Sequence, residues 1–561
     1  MKFVDFCGYL EKLEKVSGRL VMTDILVELL KKLKNDEVDR GVYLMLGELA
    51  PKFAKIEFNL ADKQVMKAIA RSIDCEVGGV RNLYKERGDL GEVVGLVKRK
   101  IGGGDLNIGQ VCDKLKKIAL EEGLGSQERK LEGLSKLLSQ VSGVEAKYVV
   151  RIILSKLRLG FSDKTILDAV SVMESGDKSR RKELDNVYQI YPDVGKLVKN
   201  VKEGKVGKIK PEIGVPILPA LCQRLNTAEE IIEKMGEVAV EKKFDGTRVA
   251  IHWEMDKNVR TFTRNLDENS HMFPELADIK GTLNAKSVIL DSEAVGIDKK
   301  TGKILPFQMT ITRKRKHGIE GAAVDVPLRF YVFDILYKDG ISLIDESYEK
   351  RRKILTETVN KNEILVVDEF VKTDKTDVVH KLHEEFLKQG LEGAVIKKRD
   401  GKYLPGRQGW NWVKIKEAEG TSGKLSDTLD LVVMGYYKGQ GKRVEFGLGA
   451  FLGGVRDKNG EVKTIAKVGT GLTDECFRQL KRRLDKLVSD KKPKEYGEVN
   501  KSLVPDGWVR PELVVEIAAD EITKSPSHSS GVALRFPRLI KFRDDKDLQG
   551  VTSLEEIGEM V

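Results

Sequence analysis

The spacing of apolar residues changes twice along the chain, and these changes restrict its fold more than any other feature. Up to residue 213, apolar residues recur every three or four positions, as in amphipathic helices. From about residue 214 to 418, short segments alternate between apolar and polar residues, with a few helical stretches between them. The remainder consists of short strand-like segments and turn-like breaks. At 561 residues the chain is too long for one core, and the pattern predicts a helical, a mixed α+β and a β-rich domain in that order.

Two segments of different composition separate these regions. Residues 198–219 are rich in Lys, Gly and Pro, which favours a linker. Residues 417–427 read EAEGTSGKLSD, and their few apolar residues and two glycines are typical of a hinge. We therefore expect three domains, at residues 1–213, 214–418 and 419–561.

The segment EVAVEKKFDGTRVAIHW, residues 237–253, carries a chemical signal. Runs of β-forming residues flank an Asp-Gly dipeptide at 245–246, so the pattern predicts two strands joined by a tight turn. Lys243 offers an amine that can attack phosphorus, and Arg248 a guanidinium that can bind phosphate or ribose oxygens. The glycine lets the backbone approach a nucleotide. Taken alone, this segment is equally compatible with a hairpin that has a charged tip.

Charged and aromatic residues recur in a fixed order after this lysine. The segments TFTRNLDENS, VILDSEAVGI, RFYVFDILY, LEGAVIKK, NWVKIK and ALRFPRLIKFRDDK contain Arg264, Asp291, Glu293, Phe333, Glu392, Lys397, Lys414, Lys416, Arg535, Arg538, Arg543, Asp545 and Lys546. Each residue has an ordinary explanation, since charges occupy solvated strand edges and phenylalanines fill cores. Six such segments in one order after one Lys-x-Asp-Gly-x-Arg make joint coincidence very improbable.

With these motifs the chain resembles the ATP-dependent DNA ligases, a family of covalent nucleotidyltransferases, and most closely their three-domain archaeal type. The resemblance extends over nearly the whole sequence. It implies a helical DNA-binding domain, an adenylation domain built of antiparallel sheets with helices, and a C-terminal OB-fold β-barrel. It also implies an activity in DNA replication, repair and recombination. Nicks in duplex DNA would be sealed through a lysyl-AMP, then a DNA-adenylate, then a phosphodiester bond with release of AMP.

The resemblance also implies a role for each candidate residue. Lys243 would be the nucleophile that takes AMP from ATP, while its neighbour Lys242 should point out of the pocket because successive strand residues face opposite ways. Glu241 would read the amino edge of adenine, and Phe333 would stack on the base. Arg248 and Arg264 would contact the ribose and phosphates, Glu293 and Glu392 would lie near the ribose, and Lys397, Lys414 and Lys416 would surround the α-phosphate. Glu293 and Glu392 would hold Mg²⁺, which prefers carboxylate oxygens.

Two further expectations concern phosphate binding. Relatives usually have an arginine six residues before the first lysine of NWVKIK, but this chain has Gln408 there. Either Arg407 reaches the phosphates from a shifted position, or the contact is absent. The resemblance also implies that residues 535–546 close over the leaving pyrophosphate and then withdraw to admit DNA, by a rotation within residues 417–427.

Composition indicates the partners of the chain. Its net charge of +11 favours a polyanionic partner such as nucleic acid, and the resemblance implies that this partner is nicked double-stranded DNA. The five cysteines are scattered singly, which makes a zinc site improbable. Without a bilayer-spanning apolar run or a signal peptide, we expect an intracellular, cytoplasmic protein, and the resemblance to DNA ligases implies a nucleoid-associated monomer. Archaeal relatives often carry a sliding-clamp peptide with paired aromatics near residue 105, but residues 99–112 contain no aromatic residue, so clamp binding there is doubtful.

Two alternative functions remain open at this point. A guanylyltransferase of the mRNA-capping type shares Lys-x-Asp-Gly-x-Arg but has no reason to carry a large basic helical domain. A nick-binding architectural protein with a decayed site has no reason to retain Lys243, Glu293 and Glu392. Labelling with ATP or GTP separates the first alternative from a ligase, and binding without labelling would identify the second.

Overall fold

The computed structural model describes residues 1–98, 105–157, 159–225, 227–313, 319–416, 428–439, 446–469, 472–519 and 521–560. The chain divides into two compact units, Met1–Lys416 and Glu417–Val561. Because the first unit contains both the helical and the mixed region, the expected border after residue 213 stays a prediction. The hinge expected at residues 417–427 lies outside the described residues. None of the described helices is both long and apolar enough to cross a membrane.

The first part of unit one is helical, as predicted. Its helices are α1 (Phe3–Glu14), α2 (Arg19–Lys32), α3 (Val38–Leu46), α4 (Asp62–Ser72), α5 (Val77–Arg87), α6 (Leu90–Val97), α7 (Ile108–Ala119), α8 (Ser126–Gln140), α9 (Gly143–Ile153), α10 (Asp163–Ser175), α11 (Arg181–Ile190) and α12 (Val194–Lys202). Several of these helices begin at a polar capping residue. The side chain of Asn107 accepts a hydrogen bond from the backbone N–H of Gln110, and the side chain of Ser142 accepts one from that of Glu145. The apolar faces of the helices share one extended core.

The rest of unit one is built around two sheets. Its elements are β1 (Gln223–Arg224), α13 (Ala228–Met235), β2 (Val238–Lys242), β3 (Thr247–Glu254), β4 (Arg260–Thr263), β5 (Ser287–Gly296), α14 (Phe307–Ile311), α15 (Ile319–Asp325), β6 (Leu328–Lys338), β7 (Ile341–Ser342), α16 (Tyr348–Thr358), β8 (Leu365–Val367), β9 (Phe370–Thr373), α17 (Thr376–Lys388), β10 (Gly393–Lys398) and β11 (Trp412–Lys416). One sheet has the order β1-β11-β10-β2-β9, and the other has the order β4-β3-β5-β6-β7 with β8 beside β6. Among the described strands of this region, only β1 with β11 and β6 with β8 pair in parallel, so the predicted antiparallel character is confirmed.

The hairpin predicted around residues 245–246 is wrong. Strand β2 pairs with β9 and β10, whereas β3 pairs with β4 and β5 in the other sheet. Residues 243–246 therefore cross from one sheet to the other. The backbone of Lys243 prolongs the pairing of β2, because its N–H donates to Gly393 O and its carbonyl accepts from the N–H of Glu392, both at 3.0 Å. Alternation between apolar and polar residues predicts strands, but it does not determine which strands pair with each other.

Close packing holds this crossover in place. Phe244 is buried in a core shared by both sheets and stacks on Tyr331 with ring centroids 4.0 Å apart. A Cβ on Gly246 would collide with the carbonyl oxygen of Ala294 and crowd the side chain of Glu293. Glycine is therefore required here for close approach between the crossover and β5.

The helical and mixed regions of unit one contact each other beside the two sheets that residues 243–246 connect. Gln189 at the end of α11 accepts hydrogen bonds from the Leu218 N–H and from Nε2 of Gln408, both at 2.9 Å. Tyr191 also shares a small apolar core with Phe262 of β4. The segment between α12 and β1 is thus packed against the sheets rather than extended in solvent.

Unit two is rich in strands, as predicted for the C-terminal region. Its elements are β12 (Leu429–Tyr437), β13 (Ala450–Arg456), β14 (Val462–Val468), α18 (Asp474–Asp485), β15 (Val488–Ser489), β16 (Gly507–Val509), β17 (Val514–Ala518), β18 (Glu521–Lys524), β19 (Val532–Arg535), β20 (Arg538–Phe542) and α19 (Leu554–Glu559). The main sheet has the order β14-β13-β12-β16-β15, with β17 between β12 and β20. Arg543 and Lys546, after β20, pair with Asp430 at 3.0 and 2.6 Å.

Candidate active site

A cavity of about 910 Å³ is lined by both sheets of unit one. Cavities that hold small molecules are typically ~300–1,000 Å³, so its size suits a nucleotide. Its wall includes most of the residues predicted from the sequence, namely Glu241, Lys243, Arg248, Arg264, Glu293, Phe333, Lys397, Arg407 and Lys414. Glu392 is not part of the wall but contacts Lys243. Lys416 is the last residue of β11, paired with Gly393, and its side chain lies outside the described part of the chain.

Lys243 lies where the chain leaves β2, and its ammonium forms an ion pair with Glu392. The two side chains are only 20% and 25% exposed. They meet because the backbone of Lys243 pairs with residues 392–393 at the start of β10. Lys242 also lines the cavity, contrary to the expectation that it points out of the pocket. The ion pair with Glu392 therefore distinguishes Lys243 from its neighbour better than strand alternation does.

Arg248 on β3 is held by a carboxylate that the sequence motif does not include. Its Nε and Nη2 donate to the two carboxylate oxygens of Asp291 at 2.9 and 2.6 Å, and its Nη1 donates to Ala220 O at 2.6 Å. Tyr403 donates to the same carboxylate at 2.8 Å. Burial alone would lower the pKa of Arg248, but Asp291 and Tyr403 raise it above its usual value. The guanidinium is therefore a fixed cation in the cavity wall.

Glu293 on β5 lies directly opposite Arg248 in the register of β3 and β5. Burial raises the pKa of this carboxyl, the cations Lys243 and Arg248 lower it, and the charges of Asp291 and Glu392 raise it, so that the pKa is about 7. A carboxyl group with this pKa gains or loses its proton near neutrality. Such a desolvated carboxylate is suited to a metal ion that compensates its charge.

Aromatic rings and a buried ion pair form one end of the cavity. Phe333 and Trp412 meet edge to face with centroids 5.9 Å apart. Lys397 donates to Glu241 at 2.7 Å and to the Phe333 carbonyl at 3.2 Å, and its side chain is 1% exposed. These contacts place the ammonium of Lys397 beside the predicted base-binding residues Glu241 and Phe333, and its expected contact with the α-phosphate stays a prediction.

Exposed cations lie on another part of the wall. Arg264, in the turn after β4, and Arg407 both line the cavity. Gln408 instead donates to Gln189 in the helical region and to the carbonyl of Pro405. Of the two alternatives for the missing arginine, this geometry favours Arg407 as the side chain that faces the ligand.

Sequence reasoning missed several residues that complete the site. Asp291 was noted only for its position two residues before Glu293, and its spacing gave no sign that it holds Arg248. Tyr403 and Ala220 come from loops without a recognisable motif, and Trp412 was read as part of a lysine-bearing strand. Their roles follow from the strand order and the loop contacts, which one sequence does not reveal.

Comparison with known proteins agrees with this geometry. Residues 219–416 match the family described as the ATP dependent DNA ligase domain, residues 2–171 the DNA ligase N terminus, and residues 445–546 the ATP dependent DNA ligase C terminal region. A probable DNA ligase of Dictyoglomus turgidum is 39% identical over 573 residues, which cover 100% of this chain and 97% of that protein. A DNA ligase of Pyrobaculum calidifontis is 36% identical over 586 residues, covering 100% and 98%. The solved structure titled Pmar-Lig_PreS3 shares the fold, with 17% identity, coverage of 96% and 99%, and a TM-score of 0.55.

Proposed function

Since this chain belongs to the family of ATP-dependent DNA ligases, and so uses ATP to join DNA, we propose that Lys243 carries AMP from ATP to a nick in duplex DNA. In the first step Nζ of Lys243 bonds to the α-phosphorus, pyrophosphate leaves, and the amine loses a proton. An oxygen of the 5′-phosphate at the nick then attacks the same phosphorus and frees Lys243. Finally the 3′-hydroxyl attacks the activated 5′-phosphate, and AMP leaves with the bonding electron pair.

One observation carries this proposal: Lys243 shares a nucleotide-sized cavity with Glu241, Arg248, Glu293 and Phe333. An ammonium has no lone pair, so Lys243 must be deprotonated before it attacks phosphorus. The Glu392 carboxylate holds Nζ at the cavity while the amine is charged. The cations Arg248 and Lys414 line the same cavity, where they could bind the phosphate oxygens of the nucleotide.

The aromatic end of the cavity would hold the base. The Phe333 ring offers a stacking surface, and Glu241 offers carboxylate oxygens that accept from an exocyclic amine. Arg248, fixed by Asp291, would then bind the ribose or phosphate oxygens. Arg264 and Arg407 on the exposed wall would contact the outer phosphates.

Glu293 and Glu392 would hold Mg²⁺. Their oxygens are donors that suit this ion, and the raised pKa of buried Glu293 indicates a carboxylate that lacks full compensation of its charge. Within the described residues, no cluster of three or more His, Cys, Asp or Glu side chains is arranged to hold a metal. Few protein ligands suit Mg²⁺, which keeps waters and binds substrate phosphates. When bound, the ion would neutralise charge on the phosphate oxygens.

We further propose that the chain acts as a monomer and does not bind a sliding clamp through residues 105–112. In this segment Asn107 caps α7, and the Leu106 carbonyl accepts from the Phe3 N–H at 2.9 Å. The segment is thus engaged in the fold of the helical region. The rest of the loop that was read for clamp binding, residues 99–104, lies outside the described residues.

Labelling tests the proposed function directly. The purified protein is incubated with Mg²⁺ and either α-labelled ATP or α-labelled GTP, then challenged with a nicked duplex. We expect covalent labelling with ATP, transfer of the label to DNA, and sealing of the nick. A protein that stays unlabelled with ATP, or that is labelled with GTP alone, would overturn the proposal.

A further inference from the structure

Both carboxylate oxygens of Glu241 are occupied by donors from the protein. The Tyr348 hydroxyl donates to Oε1, and the Lys397 ammonium pairs with Oε2 at 2.7 Å. The side chains of Glu241 and Lys397 are 2% and 1% exposed, and Tyr348 is 1% exposed. In this setting Oε2 of Glu241 can only accept from Lys397, because an ammonium has no lone pair, and Oε1 accepts from the Tyr348 hydroxyl.

The donors themselves are held firmly. The Lys397 ammonium lies 4.2 Å from the ring centroid of Trp412, 4.7 Å from that of Phe333 and 5.1 Å from that of Tyr348. Tyr348 is the first residue of α16, and its backbone N–H donates to Gly401 O at 2.9 Å. Because rings and backbone restrict both donors, the plane of the Glu241 carboxylate is restricted as well.

A second buried acid lies near Glu241. Asp368, before β9, is buried, and burial together with the charge of Glu241 raises its pKa. Arg352, one turn along α16 from Tyr348, donates to the backbone carbonyl of Asp368. The groups that face Glu241 from the neighbouring elements are therefore Lys397, Tyr348 and Asp368.

Tyr348 differs from Glu241 and Lys397 in its relation to the cavity. Glu241 and Lys397 form part of the wall, whereas Tyr348 lies behind them and is not among the lining residues. A carboxylate has about four lone-pair directions, and the two protein donors leave others for a ligand. An exocyclic amine at position 6 of a purine can donate to them. A carbonyl oxygen at that position can only repel the carboxylate.

We propose that Tyr348 is a positioning residue that, together with Lys397, keeps Glu241 an acceptor-only carboxylate and so makes the site accept 6-amino purines and reject 6-oxo purines. This inference rests on the proposed function, in which Glu241 meets the base. Sites built to accept a substrate N–H discriminate strongly, because the wrong ligand leaves buried polar groups unpaired. Tyr348 would contribute to this discrimination without touching the nucleotide.

The test compares self-labelling by adenosine and inosine triphosphates, in the second of which a 6-oxo group with a proton on N1 replaces the 6-amino group and the bare N1 of adenine. In the wild type we expect kcat/KM for ATP to exceed that for inosine triphosphate at least ~100-fold. In Tyr348→Phe, which keeps the ring and removes the hydroxyl, we expect this ratio to fall roughly tenfold because one bond to a charged group is lost. The change should appear mainly in KM for ATP, with kcat within about twofold, because Tyr348 affects binding of the base rather than attack on phosphorus.

Tyr43→Phe is a matched control. Tyr43 is also a buried tyrosine, and it donates to the buried carboxylate of Asp193 at 2.5 Å in the helical region, far along the chain from the cavity residues. We expect Tyr43→Phe to lower the melting temperature but to leave the ratio unchanged. If Tyr348→Phe also lowered the melting temperature and left the ratio unchanged, its role would be structural only, and the inference would be overturned.

A second measurement needs no variant. Purine riboside triphosphate, with hydrogen at position 6, should label the wild type less efficiently than ATP and more efficiently than inosine triphosphate. Equal labelling by ATP and inosine triphosphate would refute an acceptor-only Glu241 even if Tyr348→Phe failed to fold. Failure of the proposed function itself would look different, because the wild type would not be labelled by ATP at all.

Discussion

The Asp291→Asn substitution tests how the site holds its main cation. Asp291 is 3% exposed and accepts two hydrogen bonds from Arg248 and one from Tyr403. Asparagine has nearly the same shape, but its amide group replaces one carboxylate oxygen. In either orientation the NH₂ group faces at least one donor of Arg248, and the buried guanidinium loses its counter-charge.

The size of the effect follows from these contacts. Removing one partner of a buried ion pair typically costs ~3–5 kcal/mol. The Arg248 side chain is 16% exposed, so water partly compensates it, and its bond to Ala220 O remains. We therefore expect the free energy of unfolding to fall by about 2–3 kcal/mol, the value of roughly one or two bonds to a charged group. We also expect KM for ATP in the labelling reaction to rise at least about tenfold, because a shift of ~1.4 kcal/mol in binding corresponds to that factor.

Urea unfolding followed by tryptophan fluorescence measures the first quantity, and labelling at varied ATP concentration measures the second. Asp345→Asn is the matched control, since Asp345 pairs with Lys402 at 3.1 Å while their side chains are 86% and 59% exposed. Exposed pairs contribute ~0–1 kcal/mol, so this variant should behave like the wild type. If the two variants unfolded at the same urea concentration, the assignment of Asp291 as the residue that holds Arg248 would be refuted.

Three further predictions test the site and its support. Lys243→Ala should abolish the labelled adduct while Lys242→Ala retains it, and loss in the second variant alone would move the nucleophile by one residue. Gly246→Ala places a Cβ against a backbone carbonyl of β5 and should cost ~1–3 kcal/mol of stability and most of the labelling. Gly207→Ala, where a Cβ meets nothing within 4 Å, should change neither, and equal effects would refute the packing argument. Burial lowers the pKa of His252 to about 3, so between pH 6.5 and 3 the unfolded chain binds a proton that the folded chain does not. Stability present above pH 6.5 is thus lost on acidification, by ~2 kcal/mol at pH 5. His252→Gln should lose correspondingly less between pH 7 and 5, and parallel curves for the two proteins would contradict this.

Local patterns in the sequence were sufficient for the order of the helical, mixed and strand-rich regions. Helical periodicity and capping residues such as Asn107 and Ser142 act over a few residues, so one sequence displays them. The candidate reactive groups could also be found from one sequence, since the residue types and spacing around Lys243, Arg248 and Glu293 indicate their chemistry. The family resemblance then linked these segments into one site.

Strand pairing could not be predicted from the sequence in the same way. The Asp-Gly dipeptide after Lys243 suggested a hairpin, yet β2 and β3 enter different sheets because each finds its partners in distant segments. The alternation of β2 was taken to turn Lys242 away, but the crossover leaves both lysines in the cavity wall. Lys397 pairs with Glu241 beside three aromatic rings, contacts that its expected role at the phosphates did not include.

The sequence by itself thus determined which chemical groups are available: an amine, a guanidinium, acidic side chains and an aromatic ring. Only the tertiary structure decided which groups face one another, because hydrogen bonds and ion pairs join residues far apart in the chain and depend on sheet order. That is why Asp291, Tyr348 and Tyr403, which belong to no motif of their own, determine how Arg248 and Glu241 are held.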